Sequence, residues 1–269
     1  MRNECETVKI PVIGYGTWDV RGNQGKEAIK EALSVGYRLI DTAQMYGNEE
    51  IVGQAIRESE IARDQIFVTT KISHSCRTAE ETRKSIHSSL KKLGLEYVDL
   101  LLIHEPYRTY REMYHGLELE LENGTAKSIG VSNFNKKQME ALLETAEVMP
   151  AINQVESHVY YPQLEFQKTL QETGIRMQSW GPFTEGRRDI FREKVLVEIG
   201  EKHGKSSAQI ALKFLVQNDI CVIPKSIHKN RMEENLNIFD FSLDEKDMQR
   251  IKGLDGGHSL FGWYNGQWM

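Results

Sequence analysis

The chain has 269 residues, 39% of them hydrophobic, with 34 lysines and arginines against 39 aspartates and glutamates and a net charge of -5 at pH 7. That length can bury one large core, and so mild and mixed a charge argues against a nucleic-acid partner. Cys5, Cys76 and Cys221 show no CxxC spacing, the opening "MRNECETVKIPVIGYG" lacks a signal-peptide stretch, and no run nears the roughly 20 apolar residues of a membrane helix. The expectation is a soluble, cytoplasmic protein without disulfides, a zinc site or a membrane anchor.

Short apolar runs follow one another along the chain, each succeeded by a longer amphipathic segment. The first is "VIGYGTW" (12–18), followed by "EAIKEALSVG", where Ala28, Ile29, Ala32 and Leu33 share one helical face and Gly36 offers a cap. "RLIDTA" (38–43) and "IFVTTK" (66–71) come next, and "TAEETRKSIHSSLKKLG" is a helix opened by a Thr78 and Glu81 box and closed by Gly94. "VDLLLIH" (98–104), "KSIGVSN" (127–133), "INQVES" (152–157) and "RMQSWG" (176–181) continue the series. "TEGRRDIFREK" (184–194) is charged, carries no turn-to-strand signal and reads as a mobile loop over the mouth of the fold. After the helix "SSAQIALKFLVQN" comes the last run, "ICVIPKS" (220–226), and then "SLDEKDMQRIKGL", whose Ser242 and Glu245 form a box.

Eight alternations of strand and helix, joined by connections too long for hairpins, predict an α/β protein of one domain over residues 1–269, a (β/α)8 TIM barrel. A doubly wound open sheet competes, but the first run lacks the GxGxxG turn of that architecture. In such barrels the carboxyl ends of the strands converge on one site. Those ends carry Trp18, Asp41, Lys71, His104, Ser132 with Asn133, Gln154 with Glu156, Trp180, and Lys225 with Ser226. Any one of these alone suits a helix cap or a satisfied structural residue. Together they do not, because gathering Asp, Lys and His in a barrel mouth costs several kcal/mol unless they pair.

Tyr46 leaves the second strand five residues after Asp41, in "DTAQMYGNEE". A lysine kept charged by an aspartate is expected to lower the pKa of a neighbouring phenol and make it a better proton donor and acceptor. The set holds no nucleophile with a waiting base and no His and carboxylate cluster spaced for a metal, which disfavours a metal-dependent barrel hydrolase. It suits proton transfer to a carbonyl oxygen, with the hydride brought by a cofactor.

"DTAQMYGNEEIVGQAI", "LLIHEP", "SIGVSNF", "INQVE" and "IPKSIHKNRMEENLNIFDF" resemble, in order and spacing, the signature blocks of the aldo-keto reductase superfamily, across nearly the whole chain. The short loops and "IPKSIHKNRMEEN" look like its bacterial branch of diketogluconate and glyoxal or methylglyoxal reductases. The resemblance implies an eight-stranded barrel that reduces small-molecule carbonyls as a monomer, with NADPH bound extended and no Rossmann domain. It implies Tyr46 as general acid, Lys71 and Asp41 as the pair that tunes it, and His104 as the residue that orients the carbonyl. Ser132, Asn133 and Gln154 would meet the nicotinamide carboxamide, and Trp180, followed by Gly181, Pro182 and Phe183, would lie against the ring. Trp180 as plain barrel core is the other reading. Lys225, Ser226 and Arg231 would hold the adenosine 2'-phosphate, with Glu234 and Asn235 at the adenine and His228 beside them, and a helix opening across Asn230 to Asn235 suits that charge. His228 stands where many relatives have Thr or Arg, which bears on the preference for NADPH over NADH.

The pocket residues Trp18, Tyr46, Ser73, His104 and Glu105 include two departures. Relatives commonly carry Trp at the positions of Glu105 and Ser73, so the expected pocket is wider and more polar, open to small or hydrophilic carbonyls. Alternatively, Glu105 faces solvent or pairs with Arg108 or Arg111. The aromatic, glycine-rich tail "GHSLFGWYNGQWM" either finishes the pocket or forms an association patch. A different class of function also stands: a binding or structural member of the same superfamily that keeps the cofactor and turns over little.

Overall fold

The computed structural model describes residues 9–262. Eight strands pair in parallel in chain order: β1 (Tyr15–Gly16), β2 (Leu39–Asp41), β3 (Phe67–Ile72), β4 (Leu100–Ile103), β5 (Ile129–Ser132), β6 (Ile152–Glu156), β7 (Arg176–Trp180) and β8 (Ile220–Val222). The ring closes between its ends, where Gly14 N donates to Val222 O at 2.8 Å, Gly16 N to Pro224 O at 3.1 Å and Val222 N to Val12 O at 2.9 Å. A Cβ on Gly16 would lie 2.7 Å from the Ile223 carbonyl oxygen, so this seam requires glycine. The fold is a (β/α)8 barrel, as the alternation of runs predicts.

Ten α-helices lie among the described residues: α1 (Gly22–Ser34), α2 (Glu49–Glu58), α3 (Ala79–Leu93), α4 (Tyr110–Glu122), α5 (Lys136–Leu143), α6 (Leu164–Glu172), α7 (Lys194–His203), α8 (Ser207–Gln217), α9 (Lys229–Leu236) and α10 (Glu245–Lys252). Their apolar faces, such as Ala28, Ile29, Ala32 and Leu33 of α1, join the outward strand residues Ile40, Val68, Leu101 and Ile103 in one continuous core. A smaller cluster of Ile10, Leu39, Leu100, Leu102, Ile152 and Ile223 fills the barrel interior. The helix start at Thr78 holds, with Glu81 N donating to Thr78 Oγ1 at 3.1 Å, and α8 starts at a full Ser206 and Gln209 box. The Ser242 and Glu245 box does not form. Asp244 caps α10 through Asp247 N at 2.8 Å, a carboxylate two residues nearer the helix displacing the serine.

Residues 184–194 are not a featureless charged loop. They contain two 3-10 turns, Thr184–Gly186 and Ile190–Arg192, and Thr184 and Ile190 are fully buried. The charged side chains conceal an anchor that an average over the segment hides.

Candidate active site

Strand parity explains how an apolar run delivers an imidazole. Successive strand residues face opposite sides, so Leu100 and Leu102 point into the barrel and His104, next in that series, does so at its mouth. By the same count Leu39 leads to Asp41, Thr69 to Lys71, and Ile152 to Gln154 and Glu156. The barrel interior is apolar at its base and polar at its rim because each strand switches residue type on one face.

Lys71 is fully buried, and its ammonium donates to Asp41 Oδ1 at 2.5 Å, Thr42 O at 3.0 Å and Tyr46 Oη at 3.2 Å. A lysine ammonium only donates, so the phenol oxygen accepts and the Tyr46 hydrogen is left for the cleft. Asp41 Oδ2 accepts from Gln154 Nε2 at 2.8 Å, and that amide also donates to Gln178 Oε1 at 2.7 Å. Tyr46 ends the 3-10 turn Gln44–Tyr46, closed by Gly47 at φ 64°. Asn48 locks this turn, accepting from Thr42 Oγ1 at 2.7 Å and donating to Thr17 O at 2.8 Å and Val20 O at 3.1 Å.

The expected lowering of the phenol pKa is corrected here. Burial, then the charges of Asp41, Glu185 and Glu105, hold Tyr46 well above its ordinary value. The Lys71 ammonium, shared between Asp41 and Tyr46, orients the phenol. Burial pushes Lys71 itself down against the opposing pull of Asp41. Burial and, next, the Lys71 charge hold His104 well below the usual imidazole range, so the ring is neutral. Tyr46 and His104 rings meet edge to face at 5.7 Å, and Trp18 meets Tyr46 at 5.0 Å.

Asp41, Tyr46 and His104 line a cleft of about 610 Å³, together with Gly16, Trp18, Glu105, Asn133, Gln154, Trp180, Gly181, Pro182, Phe183 and Lys225. Ser73 is not on its wall. It sits behind His104, with Oγ 2.8 Å from Nδ1. Glu105 corrects both bland expectations, since it neither faces solvent nor pairs with Arg108 or Arg111. It is 5% exposed, and Oε1 accepts from Asn133 Nδ2 at 2.8 Å. The chain turns where β4 ends, folding the residue after His104 back over the cleft. Burial pushes the Glu105 carboxyl up to about 8 despite that hydrogen bond.

Trp180 Nε1 donates to Asn133 Oδ1 at 2.8 Å, and its ring is met edge-on by Phe261 at 5.0 Å. The Ser132 hydroxyl donates to Gln154 O at 2.8 Å. Of the residues read for the adenosine end, Lys225 reaches the cleft wall, and Arg231 and His228 are exposed at the start of α9. Lys225 and Arg231 have no ion-pair partner among the described residues, and α9 has no side-chain cap at His228. Ser226 holds the local turn, Oγ accepting from His228 N at 3.1 Å. Glu234 is tied to Ser206 Oγ, and buried Asn235 hydrogen-bonds the Tyr37 hydroxyl.

Sequence reading missed Asp19, Met45, Glu185, Arg187 and Phe261, all on the cleft wall. Gln178 was legible, lying two residues before Trp180 on the same face of β7. Glu156 goes elsewhere: it accepts from Leu260 N at 2.8 Å, pairs with His158 at 3.0 Å and bonds Ser259, so it clasps the tail. The tail through Gly262 therefore finishes the pocket, while residues 263–269 lie outside the described residues.

A parallel barrel with this strand-end cluster matches a known family of oxidoreductases. Residues 12–255 match the model of the aldo/keto reductase family, and the chain belongs to that family. It is 40% identical over 250 residues to glyoxal reductase of Bacillus subtilis (strain 168), covering 92% of this chain and 90% of that one. Among solved structures, MGS-M4, an aldo-keto reductase enzyme from a Medee basin deep-sea metagenome library, aligns with a TM-score of 0.90 at 40% identity, covering 93% of both chains. Bombyx mori aldo-keto reductase AKR2E4 in complex with NADP aligns with a TM-score of 0.87 at 32% identity, covering 93% of this chain and 91% of that one.

Proposed function

We propose that this oxidoreductase reduces small or polar aldehydes and ketones to alcohols with NADPH, working as a monomer in the cytoplasm, with Tyr46 protonating the carbonyl oxygen. The carrying observation is the Lys71 ammonium donating to both Asp41 and Tyr46 Oη, which leaves the phenol hydrogen for the cleft that His104 also lines. When bound, NADPH supplies the hydride.

The residues present fit that cofactor. Two unpaired cations, Lys225 and Arg231, stand beside an uncapped helix start, which is what a phosphate monoester requires. Ser226, His228, Glu234 and Asn235 would frame the adenosine there. Ser132, Asn133 and Gln154 would meet the carboxamide, exchanging bonds now made to Glu105, Asp41 and Gln178. Trp180 would lie against the ring, with Gly181, Pro182 and Phe183 alongside. The NADP complex of the silk-moth relative supports this choice.

Tyr46 acts as general acid, its raised pKa keeping it protonated until charge develops on the carbonyl oxygen. Lys71 and Asp41 fix the phenol's direction. His104 and Tyr46 together face the oxyanion, preorganised by strand and turn. Glu105 makes the pocket polar where a bulky aromatic would make it flat and apolar, and the likeness to a Bacillus protein named glyoxal reductase supports a small, polar carbonyl.

The test is oxidation of NADPH and NADH against methylglyoxal, a keto-sugar and a nitrobenzaldehyde, with cofactor binding followed by tryptophan fluorescence. Turnover with tight NADPH binding is expected. Tight binding without turnover on any carbonyl instead identifies a cofactor-binding member. Glu105→Trp is expected to shift preference from methylglyoxal towards the aromatic aldehyde, and an unchanged ratio removes the pocket-polarity reading.

A further inference from the structure

His104 Nδ1 lies 2.8 Å from Ser73 Oγ, and the other contacts of that hydroxyl bear on which atom donates. The Met45 backbone N–H donates to that Oγ at 3.1 Å, which occupies one of its lone pairs. The hydroxyl hydrogen then has two acceptors in range, the Lys71 carbonyl oxygen at 3.4 Å and His104 Nδ1 at 2.8 Å. The nearer is much the better hydrogen bond. Ser73 is itself held from behind: its N–H donates to Gln44 Oε1 at 3.1 Å, while the Gln44 amide nitrogen donates to Ser85 Oγ at 2.9 Å and Ser89 Oγ at 2.8 Å on α3. A neutral imidazole carries one hydrogen, on one nitrogen or the other, and which nitrogen holds it decides whether the ring can donate to a developing oxyanion. Nε2 has no protein partner among the described residues, and His104 lines the cleft.

We propose that Ser73 is a positioning residue that fixes His104 as its Nε2–H tautomer, so that the imidazole presents its single hydrogen to the carbonyl oxygen beside the Tyr46 phenol. The inference rests on the carbonyl-reduction reading and deepens it. Burial keeps the ring neutral, so the tautomer, and not a proton from solvent, governs donation. The same hydroxyl tethers both proton donors, since Met45 immediately precedes Tyr46 and one Oγ joins that backbone to the His104 ring. A small hydroxyl behind the histidine thereby does more than vacate space in the pocket. Without it Nδ1 has no donor to meet, and the ring is free to carry its hydrogen there or to turn over.

The experiment is long-range proton–nitrogen correlation spectroscopy on the full chain labelled with 15N-histidine, with the His104 signal assigned by its loss in His104→Gln. Wild type is expected to show Nε2–H with an acceptor Nδ1. Ser73→Ala is expected to show a mixed or Nδ1–H pattern, and Ser73→Thr to restore the wild-type one. In kinetics, Ser73→Ala is expected to lower kcat on methylglyoxal about tenfold with an unchanged NADPH Kd, Ser73→Thr to stay within about twofold of wild type, and Ser73→Ala to cost nothing further in a His104→Gln background. A wild-type His104 carrying its hydrogen on Nδ1 overturns the proposal, as does Ser73→Ala with the wild-type tautomer and kcat. Should wild type reduce no carbonyl, the functional reading fails, and the wild-type tautomer still upholds or overturns the Ser73 assignment.

Discussion

Asp41 and Glu105 are both buried carboxylates at the mouth of one barrel, and they live under opposite conditions. Asp41, on a strand, has the Lys71 ammonium at 2.5 Å and the Gln154 amide at 2.8 Å. Glu105, two residues past a strand end, has the Asn133 amide and no cation partner among the described residues, and burial holds its carboxyl up to about 8. The floor of the cleft is thus a closed set of charges fixed by strand parity, while the rim carries groups whose protonation responds to the medium. On the proposed function, the floor is suited to one unchanging proton transfer, and the rim is where substrate preference and pH response enter.

The comparison breaks most directly at the floor. Tyr46→Phe is expected to lower kcat by about 10²–10⁴-fold while NADPH still quenches tryptophan fluorescence. Lys71→Met strips the phenol of its donor and leaves Asp41 buried without a cation, so activity falls and stability drops by about 3–5 kcal/mol, measured by urea unfolding. Adding Asp41→Asn to that variant is expected to recover part of the stability and none of the activity.

The rim answers more gently. Glu105 has its folded pKa raised from 4.5 to about 8, so the folded state holds a proton that the unfolded chain has lost between those values. Its contribution to stability is fully present below about pH 4.5 and is lost as pH rises through 8. Glu105→Gln is therefore expected to unfold at a higher temperature than wild type above pH 8, with the gap closing as pH falls. The same ionisation places a negative charge beside the developing oxyanion, so wild-type reduction declines through pH 8 while the glutamine variant stays flat there. Arg231→Ala is the smallest change, weakening NADPH binding about tenfold and NADH hardly at all, in titrations at fixed ionic strength.

Much of this was legible before any coordinates. All eight apolar runs become strands, and the strand-end residues Asp41, His104, Gln154 and Trp180 line one cleft, with Lys71 buried against Asp41, because parity and parallel pairing are local rules. What escaped depends on distance in three dimensions. Whether Lys71 acidifies Tyr46 turns on how much of its charge Asp41 takes, which no spacing encodes. Glu105 reads in sequence either as a polar pocket wall or as a solvent-facing residue or partner of Arg108 or Arg111, and only the structure shows it buried on the wall and held by Asn133. Ser73 reads in sequence as a missing tryptophan, and its hydroxyl acquires a task only when β3 and β4 stand side by side. Glu156 sits at a strand end like the others, yet a chain segment more than a hundred residues away claims it.

On the proposed mechanism, a buried ammonium aims the Tyr46 hydrogen at a carbonyl in the cleft. The measurement that meets it most directly is single-turnover oxidation of bound NADPH on methylglyoxal, comparing wild type with Tyr46→Phe at equal cofactor occupancy. Rapid oxidation by wild type and its near-complete loss in the phenylalanine variant are the predicted result. Equal rates in the two proteins would contradict it.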